Sequence, residues 1–382
     1  MKIVFVSSAR YPTEKAYGVT IGETAKAANK IGHESMILTL GSSGIDEYGN
    51  RYLGFANHMY TAIENIKVIK RSVFRKYLFS IKSAIFSIHV FLSSECKAAE
   101  IIWTRDIYVA VINTIFKKRK KSVLLEIHHP PRGATKFLLF VVSLSKRNYI
   151  STISEWHRIE LLKTLPEIPI LLTPMAVPKS YFSLTEVNNF PKSSNISICY
   201  LGKSQSSGFD NGLDFLLKSI SSLIKMNSNF SFTFIGLEEL AVVNLKNLSI
   251  QLQVPPTRIE FISHVSHTEV PSILENCDFG VLPYSENRYN DARFPIKLLE
   301  YAACEIAIIA TDTPRNRSIL GTDKALFYNP EIEFDLVRTV LLALSLKSET
   351  KNQIERAKKW ASEFTYEKRV NIVIESMRTE VN

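Results

Sequence analysis

An α/β fold of two consecutive parallel-sheet domains is what the sequence predicts, and three observations predict it. Short apolar runs alternate with helix-period segments in both halves, as βαβ units require. The alternation lapses once, around Pro174, and resumes at Ile196. The chain has 382 residues, 46% of them hydrophobic, enough length for two domains and enough apolar side chain for two cores.

In the first half, Ile3 to Val6 reads as a buried strand, followed by a helix from about Val19 to Ile31 and a strand from Ser35 to Leu40. More helix-like sequence leads to a buried run at Val123 to Ile127. The stretch Pro174-Met175-Ala176-Val177-Pro178 and the polar residues up to Ser194 read as a linker. In the second half, strands are predicted at Ile196–Leu201, Phe232–Ile235, Ile259–Ile262, Phe279–Pro283 and Ile306–Ala310. Helices are predicted at Gly212–Lys225, Val270–Asn276 and Pro295–Ala303, and Lys351 to Met377 closes the chain as helical sequence that returns to the first domain. The domains are expected at 1–178 and 190–361, with the segment from about 362 to 382 crossing back.

Composition narrows the function classes. The cysteines, Cys96, Cys199, Cys277 and Cys304, are scattered, without a CxxC pair or a Cys/His cluster, so neither a disulfide framework nor a structural zinc site is suggested. The N-terminal apolar run is too short for a signal peptide, and the apolar stretches at Phe137–Leu144 and Tyr77–Leu92 are too short or too interrupted to span a bilayer. A cytoplasmic protein is the expectation. A net charge of +10 indicates a cationic surface that suits nucleic acid, an anionic membrane or a phosphorylated substrate. The clusters Lys67, Lys70, Arg71, Arg75, Lys76, Lys82 and Lys117-Lys118-Arg119-Lys120-Lys121 both lie in the N-terminal half. They carry no aromatic stacking pattern or motif for nucleic acid, and no nucleic-acid partner is expected.

The segment Arg293-Phe294-Pro295-Ile296-Lys297-Leu298-Leu299-Glu300-Tyr301 carries the most chemistry. Pro295 suits the first turn of a helix, where free N–H groups and the positive end of the dipole favour a phosphate. Lys297, Glu300 and Tyr301 share one face by i, i+3, i+4 spacing, with Ile296, Leu299 and Ala303 pointing to the core. A cation near the helix start can neutralise a diphosphate, and a carboxylate about one turn further on can accept both hydroxyls of a ribose. The plain alternative is a surface Lys297–Glu300 pair. A second phosphate-cradling arrangement is the strand Ile198–Leu201 running into Gly202-Lys203 and, through Asn211-Gly212, into a helix. Its alternative is an ordinary strand-to-helix loop.

These segments resemble the donor site of glycosyltransferase family 4, of the GT-B class, in which two Rossmann-like domains face one another across a cleft. A Pro-x-Lys-x-x-Glu helix there precedes a small-residue turn and a strand, and the last glutamate of a Glu-x7-Glu motif holds the nucleotide ribose, which implies that role for Glu300. The first glutamate falls on Ala292, with Asp291 beside it. The family's Gly-Arg turn corresponds to Gly202-Lys203, and Asn211 stands where a lysine precedes the glycine. The N-terminal matches are Gly18, closing the loop after the first strand; Gly32-His33-Glu34; Trp103-Thr104-Arg105-Asp106; and Glu126-Ile127-His128-His129-Pro130. Ser151 to Glu155 resembles a strand end of the cleft wall. The resemblance places one histidine near the transferred sugar, His128 in preference to His129.

The resemblance implies a retaining glycosyltransferase moving a sugar from a nucleotide-sugar donor to a glycan or lipid-linked acceptor, in surface polysaccharide or lipopolysaccharide synthesis. Lys203 and Lys297 would stabilise the leaving diphosphate, and His128 would sit at the sugar. Gly18, Arg105, Gly202, Pro295, Ile296 and Glu300 would complete the donor site. No cofactor or essential metal is implied, and there is no DxD-like carboxylate cluster. The basic N-terminal clusters, with aromatics between Arg75 and Phe91, suit peripheral contact with an anionic membrane at the inner face of the cytoplasmic membrane. Two other readings use the same donor: a nucleotide-sugar 2-epimerase, and a non-catalytic nucleotide-sugar binding protein suggested by Ala292 and Asn211.

Overall fold

A computed structural model describes residues 1–13, 16–40, 43–55, 72–116, 121–131, 133–165, 168–183, 189–206, 209–263, 265–286, 290 and 293–379. Of the sequence features above, Lys67, Lys70, Arg71, Lys117 to Lys120, Asp291 and Ala292 lie outside these residues, as do the side chains of Arg75 and Lys76. The chain divides into two compact units. The first is Met1–Met175 with Ala292–Phe294 and Tyr366–Asn382, and the second is Ala176–Asp291 with Pro295–Thr365.

In the first unit the strands are β1 (Lys2–Arg10), β2 (Glu34–Leu40), β3 (Gly44–Ile45), β4 (Arg51–Phe55), β5 (Ile101–Thr104), β6 (Ser122–Ile127), β7 (Asn148–Thr152) and β8 (Ile170–Leu172). They form one sheet in the order β3-β4-β2-β1-β5-β6-β7-β8, parallel except for the β3–β4 pair. The helices are α1 (Ala16–Lys30), α2 (Ser72–Leu92), α3 (Ser94–Ala98), α4 (Ile107–Ile115), α5 (Ala134–Ser143) and α6 (Glu155–Leu162). Sequence fixes their starts: Asp106 caps α4 by accepting from Tyr108 N at 2.8 Å, and Ser154 caps α6 by accepting from His157 N at 3.2 Å. The strands read as near-continuous apolar runs because helices cover the sheet, and Val4, Ile102, Val123, Leu125 and Ile150 meet Phe86, Val90, Val109, Leu139 and Val142 in one core. Burying a side chain such as Phe86 contributes about 2–3 kcal/mol.

The second unit contains β9 (Ile196–Leu201), a hairpin of β10 (Gln205–Ser206) and β11 (Phe209–Asp210), β12 (Phe230–Ile235), β13 (Ile259–Ile262), β14 (Phe279–Leu282), β15 (Ala307–Thr311) and β16 (Leu326–Tyr328). Apart from the hairpin these make a parallel sheet ordered β13-β12-β9-β14-β15-β16. Its helices are α7 (Leu213–Met226), α8 (Glu239–Gln251), α9 (Val270–Leu274), α10 (Ile296–Ala303), α11 (Pro314–Leu320), α12 (Asp335–Ser345) and α13 (Lys347–Ala361). The last helix, α14 (Tyr366–Thr379), belongs to the first unit, where it packs on α1.

Lys351 to Met377 is helical in two pieces: α13 ends at Ala361, and Val177 pairs with Thr365 in an isolated parallel bridge before α14 begins. One local expectation is corrected. Gly18 does not close a loop but lies inside α1, where a Cβ would stand 2.4 Å from the Thr13 carbonyl oxygen. The close approach of Thr13 explains why a residue without a side chain stands there.

Candidate active site

Strand order reverses around β9 in the second unit: β12 lies on one side and β14 on the other. Open α/β sheets bind ligands at the C-terminal strand ends beside such a switch point. Residues from three segments meet there. Gly202, directly after β9, has φ +126°, and its N–H donates to the Ile235 carbonyl at 2.8 Å. A Cβ on Gly202 would stand 2.8 Å from Lys297 Nζ, so glycine at this position leaves room for the cation. Lys297, in the first turn of α10, is 8% exposed, and its ammonium lies 4.1 Å from the Tyr200 ring centre and 4.8 Å from that of Tyr284. The π faces of two rings stabilise the partly desolvated charge, each by about 1–2 kcal/mol.

The loop after Gly202 is held by its backbone. The Lys203 carbonyl accepts from the Tyr200 hydroxyl and from Asn211 Nδ2, each at 2.7 Å, and Asn211 N donates to Ser204 O at 3.0 Å. Asn211 is buried, so where the resembling family places a cation this chain uses an amide to close the turn. The side chain of Lys203 stays exposed at the same strand end. Gly212 begins α7 with φ +78°, where a Cβ would meet the Pro283 carbonyl at 2.8 Å.

Glu300 lies one turn along α10 from Lys297 and is buried, with His267 Nε2 at 3.3 Å from its Oε1. His267 sits in the loop between β13 and α9. The Tyr181 hydroxyl donates to its carbonyl at 2.8 Å, and the two rings lie 5.3 Å apart. Nothing in the spacing of the sequence joins His267 to Glu300; the fold alone makes them neighbours. The expected polar face of α10 also changes. Tyr301 is fully buried beneath β9 and β14, its hydroxyl accepting from Leu201 N at 2.9 Å, and a Cβ on Gly280 would strike its ring at 2.6 Å. It is a packing residue, whereas Ile296, expected in the core, is partly exposed. The helix is packed on nearly every side, so amphipathic spacing could not sort it. Pro295 is the capping residue, immediately before the first helical turn rather than within it.

In the first unit, Arg105 and His128 converge on Glu126 at the C-terminal ends of β5 and β6. Arg105 donates from Nε at 2.9 Å and from its terminal nitrogen at 2.7 Å, and His128 Nε2 contacts the same carboxylate oxygen. Trp103 Nε1 donates to the other oxygen at 3.0 Å, and Arg369 of α14 pairs with it at 2.5 Å. Burial alone would raise the Glu126 pKa; Arg369, Arg105 and then His128 outweigh it and hold the carboxyl well below the usual range. The cavity beside this cluster is ≈ 20 Å³, room for one water-sized group. Arg105 is therefore engaged with Glu126 here, while His128 keeps a partly exposed ring and His129 is exposed.

Two histidines of this unit make its stability acid-sensitive. His128 is pushed down to about 4, by burial and then by Arg105, and His157 down to about 4, by burial and then by His129. Both stay neutral in the folded chain where unfolded imidazoles, near 6.5, take protons. The unfolded state thus binds more protons between these values, and stability falls as pH drops through that window. Urea unfolding at about pH 7 and about pH 5 should differ by about 2 kcal/mol per histidine, and His157→Asn should remove its share of the difference.

Residues 194–360 match the family profile described as "Glycosyl transferases group 1". A putative teichuronic acid biosynthesis glycosyltransferase, TuaH of Bacillus subtilis (strain 168), is 41% identical over 46 residues, a match spanning 12% of this chain and 12% of that protein. Among solved structures, a glycosyltransferase from Rickettsia africae ESF-5 superposes with a TM-score of 0.72 at 16% identity, covering 100% of this chain and 98% of that one. Anabaena Alr3699/HepE, solved in complex with UDP, superposes with a TM-score of 0.70 at 12% identity, covering 99% and 100%. The likenesses extend through both units.

Proposed function

We propose, from the premise that residues 194–360 are a group 1 glycosyltransferase domain in a chain of GT-B fold, that the protein transfers a sugar from a nucleoside diphosphate sugar to a glycan or lipid-linked acceptor. The observation that carries this reading is the convergence of Gly202, Lys297 and Glu300 at the β9/β14 switch point. A diphosphate beside Gly202 meets Lys297, the exposed Lys203 and the positive end of the α10 dipole. A ribose then lies one helical turn along, at Glu300, whose carboxylate accepts hydrogen bonds from two of its hydroxyls.

Chemically, the donor's glycosidic C–O bond breaks with its electron pair passing to the diphosphate, while the acceptor oxygen bonds to the anomeric carbon and its proton passes to the departing diphosphate oxygen. Lys297 and Lys203 stabilise the charge that develops on the leaving oxygen, and the steric fit at Gly202 keeps Lys297 in place without reorganisation. His128, partly exposed and neutral above about pH 4, is available at the sugar as a hydrogen-bonding group. Transfer with retention, and a role in surface polysaccharide or lipopolysaccharide synthesis, complete the reading. A lipid-linked acceptor would place the reaction at the cytoplasmic face of a membrane.

The test is a binding and turnover screen of the purified chain against UDP-, GDP- and ADP-sugars, with and without oligosaccharide or polyprenyl-linked acceptors. One donor should bind and support transfer, and Glu300→Ala should weaken that binding about tenfold or more through loss of the ribose contacts. Conversion of the nucleotide sugar to an epimer without acceptor would identify a 2-epimerase instead. Binding indifferent to Glu300 would remove the donor-site assignment.

A further inference from the structure

The helices α2, α4 and α5 form one layer of the first unit, α4 packing against both of the others. Their inner faces supply Phe86, Val90, Val109, Ala110, Leu139 and Val142 to the core. Their outer faces are apolar too. On α5 and its cap, Phe137, Phe140 and Leu144 follow i, i+3, i+7 spacing, and Phe137 is 67% and Leu144 66% exposed. Phe116, at the end of α4, is 62% exposed and lies 5.9 Å from the Phe91 ring of α2, beside the exposed Ile88 and Leu92. A helix that is apolar on both faces normally has both covered.

The charge pattern says what covers this one. Residues 65–94, 107–125 and 127–154, which contain all three helices, carry Lys or Arg at fifteen positions and Asp or Glu at none. Lys136, Lys146 and Arg147 stand exposed among the aromatic and leucine side chains of α5 and its following turn. An apolar face on helices that carry cations and no carboxylates complements a surface that is apolar inside and anionic at its rim. Among the described residues no helix is long and apolar enough to cross a membrane, so the contact is lateral.

We propose that the outer face of α2, α4 and α5 docks on an anionic lipid bilayer, with Phe137, Phe140 and Leu144 entering the acyl boundary and Lys136, Lys146 and Arg147 at the headgroups. The face gives the membrane setting of the proposed transferase a physical site, and rests on that function only for the acceptor. Its biological use is to hold the enzyme where a lipid-linked acceptor resides.

The experiment is sedimentation of the full chain with vesicles of phosphatidylcholine alone and of phosphatidylcholine with phosphatidylglycerol, with nucleotide-sugar binding measured on the same preparations. The wild type should pellet with the anionic vesicles, not with the neutral ones, and less at high salt. Phe137→Ser with Phe140→Ser and Leu144→Ser should lower partitioning about tenfold or more, since the exposed apolar area is lost. Lys136→Glu with Lys146→Glu and Arg147→Glu, which leaves the apolar face intact, should lower it about a hundredfold. Both variants should bind the nucleotide sugar as the wild type does, which separates this proposal from the donor-site reading. A wild type that stays in the supernatant with anionic vesicles would overturn the proposal, as would variants that pellet unchanged. Vesicle-independent self-association abolished by the serine substitutions, with no anionic preference, would overturn it in favour of a second copy of the chain.

Discussion

Replacing Lys297 by methionine is expected to lower kcat for sugar transfer by about 10²–10³, the usual effect of removing one group that stabilises charge in a transition state. Methionine keeps most of the side chain's length and its contact with the rings of Tyr200 and Tyr284, so the fold should tolerate it. The ammonium is lost from the one place where Gly202 makes room for it. Donor binding should weaken much less than turnover, because charge on the leaving diphosphate grows only as its bond to the sugar breaks. Steady-state kinetics with the donor found by the screen would show this as a large fall in kcat with a modest change in KM. A fall confined to KM would make Lys297 a ground-state anchor instead. Gly202→Ala provides a second route to the same test. It places a Cβ at 2.8 Å from the ammonium, on a residue whose φ is +126°, and should reduce turnover by displacing Lys297 while leaving the charge present.

Which parts of this site were legible from sequence follows from how each signal arises. The strands could be read because buried parallel strands are short apolar runs, and β9 and β13 were bounded to the residue. Lys297 and Glu300 were legible because helical spacing fixes their separation. Their surroundings were not. His267 reaches Glu300 from another segment, and Tyr200 and Tyr284 reach Lys297 from two different strand ends, contacts that only the sheet order creates. Tyr301 was misplaced because periodicity distinguishes apolar from polar faces, and a tyrosine whose hydroxyl meets a buried backbone N–H satisfies either description. Gly18 was misread for a related reason: a glycine's missing side chain shows that something comes close but not what does. Asn211 showed the reverse. Its departure from the family pattern suggested a weakened site, and in the structure it closes the loop that presents Lys203.

The cluster around Glu126 was the least legible feature, since Arg369 lies 243 positions away in the chain, and it gives the largest expected effect on stability. Arg369 is 3% exposed, pairs with Glu126 at 2.5 Å, donates to the Pro174 carbonyl at 3.0 Å and stacks at 5.3 Å over Trp103. Arg369→Met fills much of the same volume but leaves the Glu126 carboxylate buried with Arg105 as its remaining charge partner and the neutral His128 as a hydrogen-bonding neighbour. Breaking a buried pair in this way costs about 3–5 kcal/mol. Urea unfolding should show that loss at neutral pH. Acid should narrow the gap: a carboxyl whose folded pKa is depressed contributes its full stabilisation above its unfolded value, and that contribution fades as pH falls through the lower folded value. The wild type should therefore lose more stability on acidification than Arg369→Met does. Glu126→Gln combined with Arg369→Met should recover a large part of the single variant's loss, because no uncompensated charge then remains from the pair. If the double variant were as unstable as the sum of the two single variants, the pair would not be coupled. The anchoring of α14 would then rest on its packing against α1 rather than on the buried ion pair.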